Sequence, residues 1–474
     1  MLPNNLAFNN NVEPAQARSY KSNIQPQTGS TFKKGETIIF NIPTRQNLIM
    51  APSETYLRGN VAFKNGADAN NYLRWDSCGV NGLIYRVNVY HGSNLIETIE
   101  NYNVLAKMMY DLQVSTPQAN GKLSILAGTG TEYVGSVNAI AVAGVGAGVA
   151  VPAIAIPAYN TPVKYMNYGR RLNAYGTAIA GGASINVDFA IPLISIIGSL
   201  SPKYFPLFAC KSAPLRVEIT LVSDPLQAIL SDSNLDLTDG LIVSNVELVC
   251  QMMELSDSAI NTIQSSTNGK PLQYAFGDYR NFRQSAYLAN GTSTTTSIAI
   301  PAKYASLKSL FFAQRATDKF GILDYFPLPS EKLRLTQYQI RVGPELLPPK
   351  APSTTPEIFA ELLKAVGSIS DLSHSPAIDF DTYNINDAVT QATVETLAQP
   401  SNVSSPSFYV GLDLENYSGS DKSQLFAGRY TANDDIFFNA TYGNPGANLN
   451  ILIDCFALFD SVIVFENDTC YVKN

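Results

Sequence analysis

The sequence predicts a mainly β protein made of two similar antiparallel sandwiches in tandem. Three observations predict it. Apolar and polar residues alternate in short runs along most of the chain, the period of strands with one buried face. Only two stretches carry helical spacing. And 474 residues exceed what one hydrophobic core organises, about 250–300 residues, so two or three units are expected.

The first set of strand candidates is Gly35–Pro43, Glu54–Phe63, Leu83–Gly92, Ala183–Leu193, Ala213–Ser223 and Gly240–Leu255. They are rich in Val, Ile, Tyr, Phe and Thr, and Pro, Gly, Asn and Asp punctuate them. The second set is Thr294–Ala302, Leu307–Arg315, Leu335–Gly343, Ser407–Glu415 and Asp434–Tyr442. Asn448–Val472 closes it, long enough for two strands with a kink or turn near Phe459–Ser461. One helix is expected where Ile99, Tyr102, Leu105, Met109 and Leu112 recur, another where Phe359, Leu362, Leu363 and Val366 do. Thr355 is the expected N-cap of the second, with Pro356 at its first position. Such stripes are packing faces.

These elements repeat over about 200 residues. A β-run ending in Gly precedes each helix: VNVYHG before the first, YQIRVG before the second. Later, INVDFAIPL then LRVEITLVSD match DIFFNATY then LNILIDCFALFD. The join falls in the polar stretch Ser256–Lys270.

Composition narrows the function. Charged residues make up 15%, against the roughly 25% usual in soluble domains, which suits burial against other subunits. The net charge of −7 argues against a chain that mainly grips phosphate. Five scattered cysteines (Cys78, Cys210, Cys250, Cys455, Cys470) form no CxxC or zinc spacing and read as buried thiols made in a reducing compartment. His91 and His374, the two histidines, are far apart in sequence, which removes most metal-hydrolase designs and weakens a Ser-His-Asp triad. Met1–Asn11 shows no secretory signal.

Tyr133–Val163 runs 31 residues without a charge, long enough for a membrane helix. Its period-2 alternation, Gly144, Gly146, Gly148, Pro152 and Pro157 instead predict a Gly/Ala-rich hairpin or long loop.

The sequence lacks GxxxxGK[ST], HExxH and GxSxG. Gly144–Ala150 has the glycines of a phosphate loop without a helix after it. Asp232, Asn234 and Asp236 have calcium-loop spacing, but Leu237 stands where Gly is needed and Val243 where Glu is needed. Asp434–Asp435 and Asp379–Asp381 read as solvated turn residues rather than glycosidase acids. A single tryptophan, Trp75, weakens a carbohydrate-active reading. The sequons at Asn290, Asn402, Asn416, Asn439 and Asn467 read as chance in a chain rich in Asn, Ser and Thr. No catalytic, cofactor-binding or metal-binding residue is expected.

The run LIYRVNVYHGSNLIETIENYNVLAKMMYDLQ (Leu83–Gln113) resembles the signature of double jelly-roll major capsid proteins, most closely those of Polinton-like viruses and virophages. GSLSPKYFPLFACKSAPLRVEITLVSD (Gly198–Asp224) and ILIDCFALFDSVIVFENDTCYV resemble that family's later and closing strands. The second half departs from the pattern: its helix follows the Pro-rich ELLPPKAPSTTPE. The resemblance implies two eight-stranded antiparallel jelly rolls. Their expected division is an N-terminal arm at 1–34, a first roll at 35–255 with a loop insertion near 114–182, a linker at 256–270 and a second roll at 271–474. The arm carries Arg18, Lys21, Lys33 and Lys34 against Glu13, and it would order on a neighbour or face genome or lipid. The implied protein is a non-enzymatic major capsid protein of the virion. Its pseudo-hexagonal homotrimers would tile an icosahedral shell beside penton and minor capsid proteins, with no small-molecule substrate. The rival is a β-sandwich carbohydrate-binding or glycan-cleaving protein, which needs aromatics and acids clustered on one sheet face.

Overall fold

A computed structural model describes residues 17–66, 73–129, 132–134, 137–139, 155–157, 164–166, 179–231, 240–318, 320, 327–367, 369–370, 376–386, 405–416 and 427–473. The first eight long strands are Ala17–Ile24 (β1), Thr37–Ile42 (β2), Leu48–Lys64 (β3), Ile84–His91 (β4), Asn94–Glu100 (β5), Ser184–Ile191 (β6), Leu215–Leu221 (β7) and Leu241–Leu255 (β8). They form two antiparallel sheets, ordered β1-β8-β3-β6 and β2-β7-β4-β5.

The next eight are Leu272–Leu288 (β9), Thr294–Ile300 (β10), Leu307–Ala316 (β11), Leu335–Val342 (β12), Glu345–Leu347 (β13), Tyr409–Asp413 (β14), Ile436–Tyr442 (β15) and Leu449–Glu466 (β16). Their sheets are ordered β9-β16-β11-β14 and β10-β15-β12-β13. The second order is the first with every strand moved on by eight. Two sheets of four, wound in this order, make a jelly roll, and the chain contains it twice.

Alternation decides which face each sheet buries. Ile38, Phe40 and Ile42 of β2 point inward, as do Val217, Ile219 and Leu221 of β7. Ile436, Phe438, Ala440 and Tyr442 of β15 do the same in the second roll. Each fully buried large apolar side chain contributes about 1.5–3 kcal/mol.

Three helices matter. Tyr102–Gln113 (α1) follows β5, and Thr355–Val366 (α3) follows β13, so they occupy the same place in the two rolls. α3 is amphipathic, burying Ile358, Leu362 and Ala365. Asp257–Ser266 (α2) joins the rolls, and its N-terminal amide at Ala259 donates to the Ser256 hydroxyl.

The structure corrects five expectations. Residues 1–34 are not all arm, because Ala17–Ile24 is β1, laddered residue for residue onto Leu248–Leu255. The stretch at 256–270 is mostly helix, since a polar run with a serine cap still forms one. The N-cap of α3 is Thr354, one residue earlier than expected, because Glu357 closes a capping box with it. Near Phe459–Ser461 the chain does not turn; of the expected kink or turn only a shift of register is present, with Leu307 opposite Phe459 and Ser309 opposite Leu458. β16 runs on to Glu466 and reverses at Asn467–Asp468, both left-handed, before Thr469–Lys473 (β17). Finally, the matched runs were one strand out of step. INVDFAIPL lies on β6, whose counterpart is β14, and LRVEITLVSD lies on β7, whose counterpart is DIFFNATY on β15. β14 is only five residues long and includes Gly411, so its alternation is faint.

The uncharged stretch folds back on itself. Val137–Ala139 pairs antiparallel with Ala155–Pro157, and Glu132–Val134 with Lys164–Met166. Its glycines at 144, 146 and 148 lie outside the described residues, as does the calcium-like loop at 232–236. Among the described residues no helix is long and apolar enough to cross a membrane.

Candidate assembly site

The two rolls meet along a seam. β5 of the first roll lies against β9 and β17 of the second. Asn94 Nδ2 donates to the Cys470 carbonyl (3.0 Å), Asn101 Nδ2 to Asn281 Oδ1 (2.8 Å), and the Ser212 amide to the Asp468 carbonyl (3.1 Å). The loop before β7 adds an aromatic plug. The Phe205 ring stands 5.5 Å from Tyr274 and 5.9 Å from Phe465, and the Tyr274 hydroxyl donates to the Lys203 carbonyl (2.8 Å).

α1 sits inside this seam, which explains why it is buried nearly all round rather than along one stripe. Even Lys107 is fully buried. It pairs with Asp111 one turn on, and Tyr409 of β14 donates its hydroxyl to the same carboxylate (2.8 Å). The Ala377 amide bonds the Val114 carbonyl at the helix end (3.1 Å). Buried charges of this kind persist only when partnered, and here the Tyr409 hydroxyl is the partner that the second roll supplies. Burial pushes the nearby Asp76 carboxyl up to about 6, opposed by the charge of Lys107.

A second buried group lies where β5 meets β9. The Glu97 carboxylate accepts the Ser195 hydroxyl and the Ile196 amide (2.9 Å). Burial, then the charge of Asp278, raises the Glu97 carboxyl well above its usual range. Burial likewise pushes Asp278 up to about 7, opposed by Arg280. Asp454 of β16 behaves oppositely. Burial alone would raise it, but Arg315 (2.5 Å) and Arg283 (2.7 Å) grip both oxygens and hold it below its usual range. These arginines line a cleft of about 420 Å³ with Asn101, Val104 and Phe320. Among the described residues no histidine or cysteine lines it.

The sequence-selected residues land in structural roles. Trp75 is fully buried, edge-on to Phe63 (5.2 Å), and offers no platform to a sugar. His91 bonds the Cys210 carbonyl (3.2 Å), while His374 lies outside the described residues. All five cysteines are free and buried, and burial raises every thiol. Asp379 caps a helical turn through the Thr382 amide (2.7 Å). Asp435 pairs with Lys303 at the surface (3.3 Å), and the Asp434 amide closes the turn before β15 onto the Thr431 carbonyl (3.1 Å). Among the described residues no three His, Cys, Asp or Glu side chains gather to hold a metal. Sequence reasoning missed Lys107, Asp111, Glu97 and Asp278. Lys107 and Asp111 had one signal: an i,i+4 charge pair on an otherwise apolar helix.

No family model and no curated protein matches the sequence. Solved structures do match. The Faustovirus major capsid protein aligns with 97% of this chain and 93% of its own at TM-score 0.57 and 12% identity. The Sputnik virophage particle contains a chain aligning at TM-score 0.60 and 12% identity, over 100% of this chain and 92% of that one. A chain of the PBCV-1 virus capsid gives 0.60 at 9% identity, over 98% of both. At such identities the likeness speaks for the fold, and over the whole length the chain has the double jelly-roll fold that these capsid chains share.

Proposed function

We propose that the chain is the major capsid protein of an icosahedral virion. It is a structural protein rather than an enzyme, and it works by shape and repeated weak contacts. The observation that carries this is the duplicated topology: two rolls of identical strand order, locked by a buried seam, in one chain. Three copies then supply six similar rolls, and a threefold particle imitates a hexagonal tile. The full-length likeness to chains from a virophage particle and two other virus capsids supports the same reading. The rolls would span 17–255 and 271–473, with α2 between them. The loops after α1 and α3, at the same place in each roll, would form one end of the tile. Penton and minor capsid proteins, and a membrane or genome beneath the shell, are the expected neighbours. The glycan-binding alternative cannot use Trp75 as its platform, since that ring is buried.

Light scattering with negative-stain imaging tests this. Three chains per particle and hexagonal outlines are expected. A monodisperse single chain of 51.3 kDa that glycans stabilise against heat would overturn it.

A further inference from the structure

One hairpin holds two cysteines that belong to different rolls. His91 ends β4 and Asn94 begins β5, directly opposite each other. His91 Nε2 donates to the Cys210 carbonyl (3.2 Å), on the loop before β7 of the first roll. Asn94 Nδ2 donates to the Cys470 carbonyl (3.0 Å), on β17 of the second. The two backbones also meet. The Ser212 amide donates to the Asp468 carbonyl (3.1 Å), and Lys211 pairs with the Asp468 side chain (3.3 Å). Cys210 stands two residues before Ser212, and Cys470 two residues after Asp468, which is the register of antiparallel chains. Residues opposed in that register hold their Cα atoms about 4.5–5.5 Å apart, inside the span of about 4.4–6.8 Å that a disulfide bridges. Both side chains are fully buried. Burial, then the charge of Cys470, raises the Cys210 thiol, so the two sulfurs are electrostatic neighbours. Beside Cys78, Cys250 and Cys455 stand Asp76, Thr55 and Asp454 instead.

We propose that Cys210 and Cys470 form a latent redox staple: thiols when the chain folds, and a disulfide tying the second roll to the first once a low-molecular-weight disulfide meets them. The chemistry is exchange. The Cys470 thiolate attacks one sulfur of the oxidant and expels a thiolate, leaving a mixed disulfide. The Cys210 thiolate then attacks the Cys470 sulfur and expels the second. The protein thiols lose two electrons and two protons, and the oxidant leaves as two thiols. Access comes through β17. Among the described residues this five-residue strand is laddered onto β16 alone, so it opens more readily than strands flanked on both sides. Burial pushes the Cys470 thiol up to about 12, so the closed seam keeps it protonated and exchange waits on that opening. The staple joins residues 260 apart in sequence, a long loop whose closure strongly restrains the unfolded chain.

Two measurements test it. The reduced full chain is equilibrated with reduced and oxidised glutathione over a range of ratios. Remaining thiols are blocked with N-ethylmaleimide in urea, and the chain is digested for mass spectrometry. A Cys210 peptide joined to a Cys470 peptide is expected, two hydrogens lighter than the free pair, with Cys78, Cys250 and Cys455 blocked. Disulfides among other pairs, or Cys210 and Cys470 both blocked as thiols at the most oxidising ratio, would overturn the proposal. So would glutathione that stays on Cys470 without the second exchange. The second measurement is urea unfolding of oxidised and reduced wild type. Oxidation is expected to raise the midpoint, and Cys470→Ser to abolish that rise. Equal midpoints for oxidised and reduced wild type would overturn the staple's role, and that comparison needs no variant to fold.

Discussion

Arg216 lies over the ring of Tyr90 in the first roll, 4.6 Å from its centroid, and Arg341 lies over Phe437 in the second at 4.4 Å. Both are directly opposed cross-strand pairs, one step in from the same end of the ladder. Their members are exchanged: the arginine is on β7 in one roll and on β12, the counterpart of β4, in the other. A stack of this kind is worth about 0.5–1 kcal/mol at a half-exposed site. Arg216→Tyr alone is therefore expected to lower stability by about that much, and adding Tyr90→Arg to restore most of it, in urea unfolding. No recovery in the double variant would mean the ring contact does not stabilise the ladder. The buried carboxyls set a second expectation. Asp278, near 7 when folded against an ordinary 3.8, binds its proton more tightly in the folded state. Its contribution is thus fullest below about pH 4 and is lost as pH rises through about 7. Glu97 and Asp76 shift the same way. Asp454 runs in the opposite sense, supporting the fold above the usual carboxylate range and failing as pH falls below it. Melting temperature should therefore decline from pH 5 to pH 8, and Asp278→Asn should flatten that slope, worth on the order of 2–4 kcal/mol. A melting temperature that rises over this range would contradict the assignment.

At the scale of elements, the legible parts were those whose local chemistry leaves one solution. VNVYHG and YQIRVG both end β-runs at a glycine of φ +58°, and both turn over two residues into the next strand. The alternating strands and both principal helices were readable for the same reason. What escaped depends on distant partners. β1 carries a weak pattern, with polar residues at most positions, and becomes a strand because β8 offers it a ladder. Five-residue β14 is placed by β11 and by α3, which packs on it. The seam charges were invisible because Glu97 and Asp278 are 181 residues apart in sequence. It follows that truncation is not benign at the N-terminal strand. Removing residues 1–24 takes away β1 and uncovers the edge of β8 and the core side of Leu248, Cys250 and Met252. Such a chain is expected to aggregate or to melt well below wild type, whereas removal of 1–16 leaves the ladder whole. Equal melting temperatures for the two truncations would show that β1 adds nothing to the first roll.

For the whole molecule, the seam decides whether two rolls behave as two domains. Chains of this size usually unfold in stages, each domain with its own midpoint. Here the helix that closes the first roll is buried partly by the second, and its Asp111 takes a hydrogen bond from Tyr409 across the seam. Unfolding the second roll alone would take the Tyr409 hydroxyl from the buried Asp111 and expose the aromatic plug around Phe205. Losing a hydrogen bond to a buried charged group costs about 1.5–3 kcal/mol, a large share of the stability of a single roll. The rolls are therefore expected to unfold together. The single tryptophan provides the test, because Trp75 is buried in the first roll only, while far-ultraviolet circular dichroism sees the strands of both. The two signals should share one midpoint in urea at all protein concentrations where the oligomer is unchanged. A fluorescence transition complete while half the strand signal persists would show that the rolls fold independently, and that the seam joins them without coupling them.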